Sequence, residues 1–189
     1  MNPPLTGIKI ADFSRVLAGP YATMLLADLG AEVIKVERPG SGDDTRGWGP
    51  PFDSNGDSTY FLSVNRNKQG LSLDLSKESD QQKALELITS SDVVVENFGP
   101  GGMEKYNLGY SKLISNNPNL IYCSISGFGT SDKATKLPGY DLLVQGMSGL
   151  MSITGGDETD PTKVGVALVD VITGLHAVIG ILAALRARD

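Results

Sequence analysis

Between Gly7 and Val36 the chain spells strand, helix, strand, and that order constrains the fold more than any other feature. Gly7–Phe13 holds Ile8, Ile10 and Phe13 in a short apolar run, the mark of a buried strand. Pro20 suits the first position of a helix over Pro20–Leu29, because a nitrogen without N–H leaves nothing unpaired there, and Gly30 is a fitting stop. Glu32–Val36 reads as a second strand. Two strands joined by a helix over this short a stretch run parallel.

The alternation continues. Leu71, Leu73 and Leu75 alternate with Ser72 and Asp74, which predicts a partly exposed strand. A helix is expected at Lys77–Ser90 with Ala84, Leu85, Leu87 and Ile88 on its apolar face, then a buried strand at Asp92–Glu96. A short helix after Gly101-Gly102, another at Ser111–Ser115 and a strand at Leu120–Ile125 follow. Thr130–Pro138 reads as polar loop, Asp141–Gly149 as a short helix, Gly155–Pro161 as an acidic turn and Leu168–Arg188 as a long apolar helix. The class is α/β: a doubly wound, mainly parallel, Rossmann-like sheet that ends in that helix.

The 189 residues suffice for one domain with a sizeable core. A net charge of -6 argues against nucleic acid as the main partner. The single cysteine, Cys123, points to a reducing compartment, expected to be the cytoplasm or, if a leader is missing, the mitochondrial matrix. With a single histidine as well, a structural zinc site is not expected, nor any other metal. His176 lies in the apolar stretch Val169–Leu185 and is expected to pack in the core. Val164–Leu185 is the one membrane candidate, but Asp170, His176 and its glycines favour a buried helix, so no membrane partner is expected.

Ligands of open parallel sheets bind beyond the carboxyl ends of the strands. Ser14–Pro20, Glu37–Gly40, Glu96–Phe98 and Ser126–Gly129 each follow a strand and share that edge; Pro138–Asp141 adds one carboxylate where a loop becomes a helix. The start of the first helix offers N–H groups and a positive dipole end to a phosphate. Arg38 stands where a ribose phosphate can be met, or pairs with Glu37 or Asp43 at the surface. Arg66 and Lys68 are candidates for a pyrophosphate, or form a solvated basic turn. Asn97-Phe98 can set an aromatic face against a base, or bury Phe98 in the core. Asp141 can equally cap its helix. These features support a phosphorylated adenine nucleotide without naming it.

In order along essentially the whole chain, Gly7–Phe13, Leu17–Pro20, Gly30–Gly40, Asn65–Lys68, Val95–Phe98, Gly127–Gly129, Gly139–Asp141 and Ser148–Gly155 resemble the N-terminal half of class III CoA-transferases, the family of formyl-CoA and carnitine CoA-transferases. The resemblance implies that residues 1–189 are the N-terminal part of a large CoA-binding domain in a longer protein. The family's small second domain and its glycine-rich active-site loop would lie outside this chain. It further implies an interlocked homodimer at full length, and inactivity of this part alone. Its catalytic aspartate falls on Asp141. Its coenzyme A ligands fall on Val16, Leu17 and Ala18 by backbone, then Arg38, Val64, Lys68, Asn97, Phe98 and Lys105. Formyl-transferring members have a lysine where this chain has Ser126, and the stretch from Asp43 to Tyr60 is similar to members that use dicarboxylates such as succinate.

The implied substrates are an acyl-CoA and a carboxylic acid, and the implied intermediate is an aspartyl-CoA thioester. A carboxylate suits this inventory, since it is ionised at neutral pH and needs no histidine to activate it. The oxyanions of the reaction could be met by N–H groups at the start of the 141–149 helix or at Gly127–Gly129. One rival is an acyl-CoA racemase of the same superfamily, which carries histidine where this chain has Tyr140, and to which Asp170 would supply a second carboxylate. Others are an NADP-dependent dehydrogenase, for which the first loop lacks the glycine fingerprint, and a CoA-binding part without catalysis.

Overall fold

The computed structural model describes residues 2–129, 131, 133, 137–157 and 159–188. Five strands form one parallel sheet: β1 (Lys9–Asp12), β2 (Glu32–Glu37), β3 (Lys68–Ser72), β4 (Val93–Glu96) and β5 (Ile121–Ser124), in the spatial order β3-β2-β1-β4-β5. Seven α-helices lie among them in the described residues: α1 (Ala18–Asp28), α2 (Thr59–Ser63), α3 (Glu78–Thr89), α4 (Tyr110–Asn116), α5 (Asp141–Met147), α6 (Leu150–Thr154) and α7 (Leu168–Arg188).

Strand periodicity sorts the side chains into two layers. Ile10, Val33, Val93 and Val95 face α1 and α7, where they meet Ala22, Leu26, Val178, Ile181 and Leu185. Ala11, Ile34, Val36 and Val94 face the other way, onto Ala84, Leu87 and Ile88 of α3 and Leu113 of α4. Helices on both faces explain why β4 reads Val-Val-Val rather than alternating. The doubly wound class is therefore as expected. The strand order reverses between β1 and β4, which opens a crevice at their carboxyl ends.

Four expectations are corrected. The helix after β1 begins at Ala18, so Pro20 is its third residue; the first turn has no intrahelical N–H partners, and the ring still fits. The edge strand is Lys68–Ser72, ahead of the leucine alternation, and Leu73 turns into the core just beyond it. Helix α7 is buried on one side only: Gly174, Val178, Ile181 and Leu185 face inward, while Ile172, Leu175 and Ile179 are exposed. His176 lies on that outer side and is not a core residue; its Nδ1 is 2.9 Å from the Ile172 carbonyl. The inner side is fixed by a close approach: a Cβ on Gly174 would sit 2.7 Å from the Ala18 carbonyl, so only glycine fits. The loop expected at Thr130–Pro138 falls largely outside the described residues.

Candidate active site

Beneath the crevice sits a buried ionic lattice. Asp12, at the end of β1, accepts from Ser14 N at 2.9 Å, from Thr23 Oγ1 at 2.6 Å and from Lys68 Nζ at 3.2 Å. Lys35 of β2 donates to the Ser14 carbonyl at 2.9 Å and pairs with Asp43 at 2.9 Å, both side chains almost fully buried. Burial raises the Asp12 carboxyl, but Lys68, Lys35 and the two hydroxyls outweigh it and hold it below the usual range. For Lys68 burial wins, and its ammonium is pulled down to about 8 despite Asp12.

This lattice shapes the first loop. Val16 adopts φ of 70°, rare for a β-branched residue, and its N–H points at both oxygens of Asp43, 3.3 Å from each. Asn97, just past β4, grips the same loop across the strand-order reversal: its Oδ1 accepts from Arg15 N at 2.9 Å and its Nδ2 donates to the Arg15 carbonyl at 2.7 Å. Arg15 is thereby aimed at Phe98, its guanidinium 5.6 Å from the ring centre. Arg15, Arg38, Leu75, Phe98 and Tyr106 help line a cleft of about 270 Å³. Two arginines, both paired with Asp44, and two aromatic faces meet in this cleft, whose lining also includes Glu37, Asp43 and Asp74.

The structure brings only some of the sequence candidates to that cleft. Arg38 and Phe98 line it. Arg38 pairs with Asp44 at 2.7 Å rather than with Glu37 or Asp43, which are taken by Arg46 and Lys35. Lys105 is exposed beside Tyr106, its ammonium 5.7 Å from the ring. Val16, Leu17 and Ala18 form the strained entry to α1, which no side chain caps. Val64 ends α2 and is buried. Asn97 spends both ends of its amide on Arg15. Lys68 does not extend to a pyrophosphate here; it donates to Asp12, to the Pro20 carbonyl at 2.9 Å and to Asn65 at 2.9 Å. Arg66 pairs with Asp28 at 2.5 Å.

Asp141 opens α5, whose N-cap is Tyr140, so it does not cap its own helix. The segment ahead of it is pinned to the end of β5: a Cβ on Gly127 would lie 2.4 Å from Gly139 Cα, so neither glycine tolerates a side chain. The half-buried carboxylate turns toward α7. Its Oδ1 accepts from Val169 N at 2.8 Å and Asp170 N at 3.2 Å, and its Oδ2 from Gln145 Nε2 at 2.5 Å. Gln145, 1% exposed, is itself oriented by Val164 N, which donates to its Oε1 at 2.9 Å. Burial, and then the charge of Asp141, push the Asp170 carboxyl up to about 6.

Tyr60 lies on α2, half-buried. Its phenol is raised by burial and then by the charges of Asp170, Asp141 and Asp43. It stacks edge-on with Trp48, centroids 5.3 Å apart, and the two line a cavity of about 390 Å³ with Pro50, Pro51, Thr59 and Ser63. Tyr60, Gln145 and the N–H groups opening α7 carry no local signature; only their neighbours in space give them a role.

The fold defines a class: a doubly wound, parallel α/β domain with a crevice where the strand order reverses. Comparison with known proteins says which: CoA-transferase family III matches residues 5–189, and the chain belongs to that family. It is 51% identical over 185 residues to succinyl-CoA:glutarate CoA-transferase from Mus musculus, covering 98% of this chain and 42% of the relative. It is 48% identical over 189 residues to succinate–glutarate CoA-transferase from Agrobacterium fabrum, covering 97% of this chain and 47% of the relative. A CAIB/BAIF family protein from Brucella suis superposes with a TM-score of 0.94 at 47% identity, over 100% of this chain and 50% of that one. The chain thus spans about half the length of the relatives it matches.

Proposed function

We propose that the complete polypeptide moves coenzyme A from an acyl-CoA donor to a carboxylic acid, with Asp141 as its temporary carrier. The supporting observation is the placement of Asp141: half-buried at the start of α5 and tethered by three N–H donors. The chemistry runs through acyl exchange. An Asp141 oxygen attacks the thioester carbonyl, and CoA thiolate leaves with the electrons of the C–S bond. The thiolate then attacks Asp141 Cγ in the resulting anhydride, releasing the donor acid and leaving an aspartyl-CoA thioester. The acceptor carboxylate attacks Cγ, expels the thiolate, and the thiolate takes the acceptor acyl group to restore Asp141.

The cleft of Arg15, Arg38 and Phe98 would hold the nucleotide end of CoA. Lysine and asparagine at positions 68 and 97 then act under the surface, shaping the loop that meets the ligand. The Trp48–Tyr60 cavity is the acyl pocket in this reading. Relatives named for succinyl-CoA and glutarate support dicarboxylate substrates. A homodimer in the cytoplasm or mitochondrial matrix, with the second half of each chain closing the site, completes the proposal. Replacing Asp141 with alanine in the complete polypeptide should abolish transfer while CoA still binds by isothermal titration; near-normal turnover refutes the assignment. A racemase would instead exchange the α-hydrogen with solvent deuterium, and no wash-in is expected.

A further inference from the structure

The two oxygens of Asp141 are held differently, and the difference sorts their chemical fates. A carboxylate oxygen offers two in-plane lone pairs. Both on Oδ1 are occupied, by the N–H groups of Val169 and Asp170 at 2.8 and 3.2 Å. Those N–H groups open a helix of 21 residues, where the dipole favours negative charge. Among the described residues Oδ2 receives one donor, Gln145 Nε2, which leaves its second lone pair without one. Gln145 is buried and its amide is fixed by Val164 N, so this pattern cannot invert by a flip of the amide.

Resting on the proposed carrier role of Asp141, the geometry points to a division of labour: Oδ2 attacks, bridges and departs, while Oδ1 stays on Cγ through every turnover. The atoms balance as follows. Oδ2 bonds to the donor acyl carbon and thiolate leaves. Thiolate adds to Cγ, and the charge moves onto Oδ1, where two preorganised N–H groups receive it. The Cγ–Oδ2 bond breaks, and Oδ2 leaves within the donor carboxylate. The acceptor carboxylate adds one of its own oxygens to Cγ, again placing the charge on Oδ1, and thiolate leaves. When thiolate takes the acceptor acyl group, its carbon–oxygen bond breaks and the acceptor's oxygen remains on Cγ in the place of Oδ2. Each turnover thus replaces one oxygen of Asp141. For the two tetrahedral intermediates on Cγ the oxyanion donors are the start of α7; those on the acyl carbons carry their charge on the acyl oxygen and fall to other donors.

The wild-type complete polypeptide tests this directly. It is supplied with an acyl-CoA and an excess of acceptor acid whose carboxylate carries heavy-isotope oxygen, for many turnovers, then digested, and the peptide containing Asp141 is weighed. The expected result is one heavy oxygen on Asp141, unchanged by further turnover. Two heavy oxygens would overturn the proposal while leaving the carrier role intact, because they require the carboxylate to turn over between cycles. No heavy oxygen on Asp141 during active transfer would overturn the carrier role itself, and the division of labour with it.

Discussion

Asn97 grips Arg15 from both sides, its Oδ1 on the backbone N–H and its Nδ2 on the carbonyl, at 2.9 and 2.7 Å. The two residues belong to the loops after β4 and β1, so the grip bridges the point where the strand order reverses. It sets the path of the loop that carries Val16 and aims Arg15 over Phe98. In an open parallel sheet that is where a nucleotide sits.

Asn97→Ala should therefore act on binding. Two lost hydrogen bonds at about 1 kcal/mol each predict a KM for acyl-CoA raised by about tenfold or more. Since Asn97 does not touch Asp141, kcat should stay within about twofold. Steady-state kinetics separates the two; a fall in kcat at unchanged KM contradicts the positioning role.

Lys68 is predicted to matter for stability. Its removal leaves Asp12 buried with its nearest cation gone. Lys68→Ala should cost about 3–5 kcal/mol, the usual penalty for stranding a buried charge. Urea unfolding of the purified protein measures it. A loss comparable to that of the exposed Arg66→Ala would show that the lattice is not what holds this edge.

One expected pH dependence comes from Asp170. Its carboxyl is raised to about 6 in the folded protein by burial and by Asp141, above the ordinary 3.8. The folded state thus binds this proton more tightly than the unfolded chain. Its contribution is present below about pH 4 and is lost as pH rises toward about 6. Asp170→Asn should stabilise the protein by about 1–2 kcal/mol near neutral pH, after discounting for solvent, and by little at about pH 4. A pH-independent difference would place the strain elsewhere.

Much of the sheet was legible because apolar periodicity over β1, β2, β4 and β5 reports burial directly. The edge strand was misplaced because Lys68-Gln69-Gly70-Leu71-Ser72 is mostly polar, and only pairing with β2 makes it a strand. Helices at Thr59–Ser63 and Leu150–Thr154 were missed, being too short for a periodic signal; the first is set by Ser58, which accepts from Phe61 N. The placement of His176 failed because α7 is apolar on both faces, which hides which side meets α1. Asp141 stood out in the sequence as a carboxylate where a loop becomes a helix, and only the family resemblance gave it a carrier role there. Its setting did not, because Gln145, Val164, Val169 and Asp170 act on it through space, across the chain between α5 and α7.

The central claim is that Asp141 carries coenzyme A between substrates. Incubating the complete polypeptide with an acyl-CoA, trapping with borohydride or hydroxylamine and sequencing the modified peptide by mass spectrometry tests it most directly. Modification is expected at Asp141, dependent on acyl-CoA and absent from Asp141→Ala. Modification at another residue, or none in a protein that is turning over, would contradict it.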